Sequence, residues 1–211
     1  MSLELAAASV RLRHAGEPLF APLTLAVPSG QVVTVMGPSG VGKSTLLAMI
    51  GGHLAHGFAG SGRILLNGRD VTDLPAESRR IGILFQDALL FPHLSVGDNL
   101  SFGLPRHVKG RTARRAAVAA ALDQAGLSGF SDRDPATLSG GQQARAALMR
   151  TLLSDPLALL LDEPFSKLDT ELRGDIRAFV FDHIRRRGLP ALLVTHDAGD
   201  AEAAGGAAVS L

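Results

Sequence analysis

Short runs of aliphatic and β-branched residues alternate along the chain with stretches whose apolar positions return every three or four residues. Val32 to Met36 is one such run. It closes on Gly37, and a helical pattern follows from Lys43 to about Ile50, which predicts a strand, a glycine-rich turn and a helix. Between Arg63 and Val71 the pair Asn67-Gly68 sits among apolar residues and predicts a hairpin. Ile81 to Phe85 reads as another strand. From Asp87 onward the chain turns to proline, glycine and an alanine-rich helix over 111–125, the pattern of a separate helical subdomain. A second strand–helix unit returns with Leu157 to Leu161, then 170–187, then Ala191 to Thr195. The helix over 170–187 places Leu172, Ile176, Phe179, Val180 and Ile184 on one face and stops at Gly188. Strands alternating with helices imply an α/β fold with a parallel sheet, whose ligands bind at the carboxyl ends of the strands.

Composition narrows the chemistry. The 211 residues include no cysteine, which removes thiol catalysis, cysteine-ligated zinc and a disulfide framework. With 21 Lys and Arg against 20 Asp and Glu, the net charge of +1 does not advertise a polyanion-binding surface, so no nucleic-acid partner is expected. Arg185-Arg186-Arg187 is basic, but at a helix C-terminus such residues complement the dipole and need no partner. Only 19% of residues are charged, below the roughly 25% of an average soluble domain; this fits a surface meant for a partner. The longest apolar stretches fall far short of the roughly 18 residues of a membrane span. Met1-Ser2-Leu3-Glu4 lacks the positive start of a signal peptide, and Ser2 excludes N-myristoylation. A cytoplasmic protein is expected.

Three strings carry chemistry. Gly37-Pro38-Ser39-Gly40-Val41-Gly42-Lys43-Ser44-Thr45 fits the pattern G-x-x-x-x-G-K-S/T, between a strand and a helix as that pattern requires. Its glycines let backbone amides close around phosphate oxygens, Lys43 reaches the β- and γ-phosphates, and the Ser44 hydroxyl is placed for Mg²⁺. Asp162 and Glu163 end an apolar strand side by side, where they would repel unless a cation and a polarised water lie between them. Asp162 would hold Mg²⁺ and Glu163 would act as general base. Leu138-Ser139-Gly140-Gly141-Gln142 opens a helix. Ser139 and Gln142 have the spacing of a capping box, yet a cap does not need two glycines, whereas a ligand approaching backbone amides does.

In this order, these strings resemble the nucleotide-binding subunit of an ABC transporter, and the resemblance spans essentially the whole chain. It implies a P-loop NTPase (RecA-like) parallel-sheet core, made of residues 1–86 and 155–211 with an N-terminal antiparallel β-subdomain. An α-helical signature subdomain, residues 87–154, is inserted in it. The resemblance makes Gln86 the hinge glutamine contacting Mg²⁺ and the lytic water, and His196 a γ-phosphate contact. Asp169 falls in the loop crossing to a second subunit. Ser139, Gly140, Gly141 and Gln142 would complete the ATP site of a partner molecule, so that two ATPs close a homodimer and hydrolysis reopens it.

No heptad repeat or large insertion interrupts residues 44–138, unlike the repair and chromosome-structure ATPases of the superfamily. The stretch from Ile83 to Val96 looks like bacterial small-solute importer ATPases, and short members such as thiamine-type ones look closest. There Phe91, Leu94 and Val96 would line a groove for a membrane permease; the alternative is that they pack the helical subdomain. The implied partners are permease subunits and, through them, an extracytoplasmic solute-binding protein. The implied location is the inner face of the cell membrane. A soluble, non-transport ATPase and an exporter subunit are the alternatives. One departure concerns adenine, which the family stacks on an aromatic residue roughly two dozen positions before the P-loop. This chain has no Tyr or Trp. His14 lies nearest that spacing, with Phe20 the other candidate and a solvated loop histidine the bland alternative.

Overall fold

The computed structural model describes residues 1–14, 16–168 and 170–211. Strands β1 (Ser2–Leu12), β2 (Leu23–Pro28), β4 (Phe58–Leu66) and β5 (Arg69–Asp70) form an antiparallel sheet in the order β2-β1-β4-β5. Asn67 and Gly68 make its last turn with φ of 53° and 75°, the two positive values a type I′ hairpin demands. A second sheet runs β6-β7-β8-β3-β9, from β3 (Val32–Met36), β6 (Ile81–Leu84), β7 (Ala158–Asp162), β8 (Ala191–Thr195) and β9 (Ala208–Ser210). The β3–β8, β7–β8 and β3–β9 pairs are parallel. Every residue of β8 is buried, as are the first four of β3 and of β7, which is why these strands read as continuous apolar runs without alternation.

The helices are α1 (Lys43–Gly51), α2 (Ala76–Arg79), α3 (Val96–Gly103), α4 (Arg111–Gln124), α5 (Gly140–Leu153), α6 (Thr170–Arg187) and α7 (Ala198–Ala204). The chain divides into two compact units. The first comprises residues 1–83, 157–163 and 178–211; the second comprises residues 84–156 and 164–177. The core of the first unit joins α1 (Leu46, Leu47, Ile50) to both sheets through residues such as Leu3, Val35, Leu160 and Leu192. This is the P-loop NTPase architecture with an antiparallel sheet and helices.

Two packing expectations change. On α6 the buried residues are Ile176, Val180, Phe181 and Ile184, whereas Leu172 is exposed and Phe179 is half-buried, its ring 4.3 Å from that of His183. The 3.6-residue period places Phe181 beside Ile184, a neighbour the five-residue stripe omits. In the second unit Val96 is fully buried at the start of α3, so it lines no open groove. The loop before it is organised by Asn99, also fully buried. Its Oδ1 accepts from the Phe91 amide at 2.7 Å, and its Nδ2 donates to the carbonyls of Phe91, Leu94 and Ser95 at 3.1, 3.2 and 3.0 Å. The apolar side chains left exposed here are Phe85, Leu89 and, most of all, Phe102 at 69%.

Candidate functional site

Residues 37–45 lie where β3 hands over to α1. Gly42 caps the helix with φ of 105°, and a Cβ there would come within 3.2 Å of Leu19 and Phe20, so both backbone angle and space require glycine. Lys43 is only 5% exposed. Its ammonium donates to the carbonyls of Gly37 and Pro38 at 2.9 and 3.0 Å and lies 3.8 Å from Glu163 Oε1. The cation thus tethers the loop and faces a carboxylate.

Ser44 Oγ donates to Asp162 Oδ1 at 2.8 Å. Burial pushes the Asp162 carboxyl above its ordinary value of 3.8; the Ser44 hydrogen bond opposes this, neighbouring Glu163 adds to it, and Lys43 and His53 lower it. A carboxylate that resists ionisation beside a hydroxyl is a hard-oxygen donor pair that a cation would relieve, which suits Mg²⁺. Glu163 carries φ of +45°, a left-handed conformation unusual for a glutamate, and its amide donates to Val194 O at 2.9 Å. Its Oε2 lies 3.1 Å from His196 Nδ1.

His196 is aimed by a turn after β8 that motif reading did not find. The Asp197 amide donates to Thr195 Oγ1 at 3.0 Å, Thr195 Oγ1 donates to the fully buried Asp200 at 3.1 Å, and the Asp200 amide donates to Asp197 Oδ1 at 3.1 Å. The spacing Asp197-x-x-Asp200 at the start of α7, an aspartate cap three residues before a second carboxylate, is a signal for it in the sequence.

A cleft of about 400 Å³ opens on the loop, lined by Leu12, Leu19, Ser39, Gly40, Gly42, Lys43, Ser44, Thr45, Phe58 and Glu163. Neither base-stacking candidate lines it: His14 is exposed elsewhere and Phe20 is buried. Leu12 and Phe58 lie there instead. They are paired across β1 and β4, a register that sequence reading could not supply.

In the second unit Ser139 caps α5, accepting from the Gln142 amide at 3.3 Å while Gln142 Oε1 accepts from the Ser139 amide at 3.0 Å. The capping box is therefore present. Gly140 nevertheless stays exposed at the helix start, and a Cβ on Gly140 or Gly141 would meet only ordinary contacts, at 3.7 Å to Leu168 and 3.6 Å to Ile176. Packing within the unit does not require either glycine. Gln86 is exposed in the loop after β6. Asp169 lies outside the described residues.

Residues 20–166 match the ABC transporter family. The chain is 51% identical over 195 residues to the uncharacterized ABC transporter ATP-binding protein YnjD of Escherichia coli, covering 92% of this chain and 89% of that one. It is 45% identical over 194 residues to the thiamine import ATP-binding protein ThiQ of Jannaschia sp., covering 92% and 82%. Among solved structures it is similar to the dimeric post-hydrolysis ATP-binding cassette MJ0796 bound to ADP and Pi, with a TM-score of 0.81, 29% identity and coverage of 99% and 94%.

Proposed function

The chain belongs to the ABC transporter family and is an ATPase that binds ATP with Mg²⁺, and from that premise we propose that it is the energy-coupling subunit of a small-solute importer. The observation that carries the catalytic half is the row Lys43, Glu163, His196: a lysine 3.8 Å from one carboxylate oxygen and a histidine 3.1 Å from the other. In this reading residues 37–45 cradle the phosphates and Lys43 exchanges Glu163 for the β- and γ-phosphates. Glu163, released from that ion pair, polarises the attacking water; His196, fixed by the Thr195–Asp200 turn, contacts the γ-phosphate. Ser44 and Asp162, hydrogen-bonded to each other, would hold the Mg²⁺, with Gln86 the further ligand that the family resemblance implies, and the ion would supply charge compensation on the phosphate oxygens. General-base catalysis of this kind is typically worth about 10²–10⁴ in rate.

The dimer follows from the second unit. Two glycines whose added Cβ atoms would meet only ordinary contacts, Gly140 exposed and Gly141 buried behind it at a capped helix N-terminus, suit the close approach of a phosphate from another molecule. We assign Ser139, Gly140, Gly141 and Gln142 to the ATP of a partner copy, as the dimeric cassette neighbour favours.

Membrane coupling falls to the exposed apolar residues Phe85, Leu89 and Phe102. Phe102 packs edge-on against Phe91 at 4.8 Å between ring centroids. Arg150 ties down the Leu89 and Ala88 carbonyls at 2.8 and 3.2 Å. This apolar surface is fixed before any partner arrives, as a permease segment would need. Among the described residues no helix is long and apolar enough to cross a membrane. In this reading the chain acts from the cytoplasmic face, through permease subunits and a solute-binding protein, as the import ATP-binding relatives favour.

The test combines two variants. Glu163→Gln should bind ATP, hydrolyse it very slowly and accumulate as a dimer in light scattering. The wild-type chain should co-purify in detergent with a multi-span membrane protein, and Phe102→Asp should lose that protein while keeping its basal ATPase. Normal hydrolysis by Glu163→Gln would remove it as the base, and a purely soluble partner would overturn the transport role.

A further inference from the structure

Basic residues gather at one place in the second unit. Arg106, Lys109, Arg111, Arg114 and Arg115 put five of the chain's 21 Lys and Arg into residues 106–115, with His107 among them. No Asp or Glu occurs between Asp98 and Asp123, so the net charge of +1 averages away a strongly positive cluster. The cluster occupies the turn after α3 and the start of α4. Arg114 is half-buried and fixes that turn, its guanidinium donating to the carbonyls of Ser101 and Val108 at 2.6 and 3.2 Å. The side chains of Arg106, His107, Lys109, Arg111 and Arg115 are exposed and make no hydrogen bond or ion pair among the described residues. Arg111, Arg114 and Arg115 share a groove of about 1100 Å³ with Asp98, Asp123 and Asp132, yet no arginine there pairs with a carboxylate. Asp98 accepts from Ser95 Oγ at 2.9 Å instead, and Asp123 from Ser128 Oγ at 2.5 Å.

The placement also opposes folding. A helix carries partial positive charge at its N-terminus, so cations in the first turn are unfavourable there. Helix α4 begins at Gly110 with no side-chain cap and no acidic residue in its first turn, and Arg111, Arg114 and Arg115 stand at that end. The dipole that accounts for Arg185-Arg186-Arg187 at the end of α6 therefore cannot account for these three. Charge held where the helix disfavours it points to an anion outside the chain.

We propose that residues 106–115 are a docking face for the anionic lipid headgroups beside the permease, which rests on the membrane-coupling reading above. The cluster begins four residues after Phe102, the most exposed apolar side chain of the surface assigned to the permease, and Arg114 bonds the neighbouring Ser101. A face that continues from the permease contact meets the lipid around it. A headgroup layer is a diffuse sheet of negative charge, which long, unpaired, exposed cations match without a rigid set of donors. Nucleic acid fits less well, because residues 103–122 contain no Phe, Tyr or Trp to stack a base.

Flotation of the chain with phosphatidylcholine vesicles, with and without phosphatidylglycerol, tests this. The chain should float only with the anionic vesicles, and salt should release it. Arg106→Glu with Lys109→Glu, both in the turn before α4, should weaken binding by about thirtyfold. Arg63→Glu with Arg69→Glu makes the same charge change at exposed positions of the antiparallel sheet and should weaken it by less than about threefold. Both double variants should keep basal ATPase. Equal binding to neutral vesicles, or equal loss in the two double variants, would overturn the proposal. If Arg106→Glu with Lys109→Glu lost the co-purifying membrane protein yet floated as the wild type does, the face would meet an acidic protein segment and the proposal would fall. A wild-type chain that ignored anionic vesicles but co-purified with a multi-span membrane protein would overturn the lipid face alone. Vesicle binding with only soluble partners would instead overturn the transport reading.

Discussion

Gly140→Ala and Gly141→Ala separate what the chain needs from what its proposed partner needs. Neither glycine has a positive φ, and the added Cβ atoms would meet Leu168 at 3.7 Å and Ile176 at 3.6 Å, ordinary contact distances. Alanine is favoured over glycine within a helix by roughly 0.5–1 kcal/mol. In the first turn the gain is smaller, so the double variant should be more stable by up to about 1 kcal/mol. Urea unfolding followed by far-UV circular dichroism measures this; fluorescence does not serve, because the chain has no Trp or Tyr.

Hydrolysis should move the other way. If the amides at the start of α5 approach the phosphates of a partner's ATP, the methyl group on exposed Gly140 holds the partner off, and steady-state hydrolysis should fall by roughly 10²–10³. ADP binding to the single chain should not change, because residues 37–45 are untouched. Wild-type turnover in the double variant would refute the partner-site assignment. A loss of stability would show instead that the glycines serve packing.

Two further outcomes concern the supports of the site. Arg79 is buried and donates to the carbonyls of Leu74, Thr72, Met49 and Ile50, the last two at the end of α1. Arg79→Met keeps bulk but removes the guanidinium from the Ile50 carbonyl and leaves the Met49 carbonyl only the Gly52 amide at 3.2 Å, so urea unfolding should show a loss of about 1–3 kcal/mol; a loss under about 1 kcal/mol would mean water replaces the guanidinium. Asp162→Asn should stabilise the metal-free protein at neutral pH, by roughly 1 kcal/mol, while abolishing the response to Mg²⁺. The sign follows from the raised carboxyl: between 3.8 and the higher folded-state value the folded chain binds the extra proton, so the wild type gains stability as pH falls through that window. The advantage of Asp162→Asn should therefore vanish in acid, and an advantage constant across pH would refute the burial argument.

What the sequence disclosed divides along a physical line. The strands β3, β7 and β8 were legible because a buried parallel sheet needs unbroken apolar runs, and Asn67-Gly68 because few residues accept two positive φ values. Lys43, Asp162 and Glu163 were legible because a phosphate loop and a carboxylate pair at a strand end are patterns of particular side chains, whereas His196 was read only from the order of motifs in the family resemblance. β1 and β2 were not read, since their polar and apolar residues alternate irregularly around a bulge at Ala7 (φ 51°). Val96 was misplaced because an apolar residue after Pro and Ser reads equally as surface or as the first buried turn of a helix.

The supports of the site stayed hidden for a further reason. Arg79, Asn99 and Arg150 work by bonding backbone groups, which every residue has, so no partner identity marks them. A surface arginine and a clamp over the end of α1 look the same until the chain is folded. The same limit applies to Leu12 and Phe58, whose pairing exists only in the β1–β4 register.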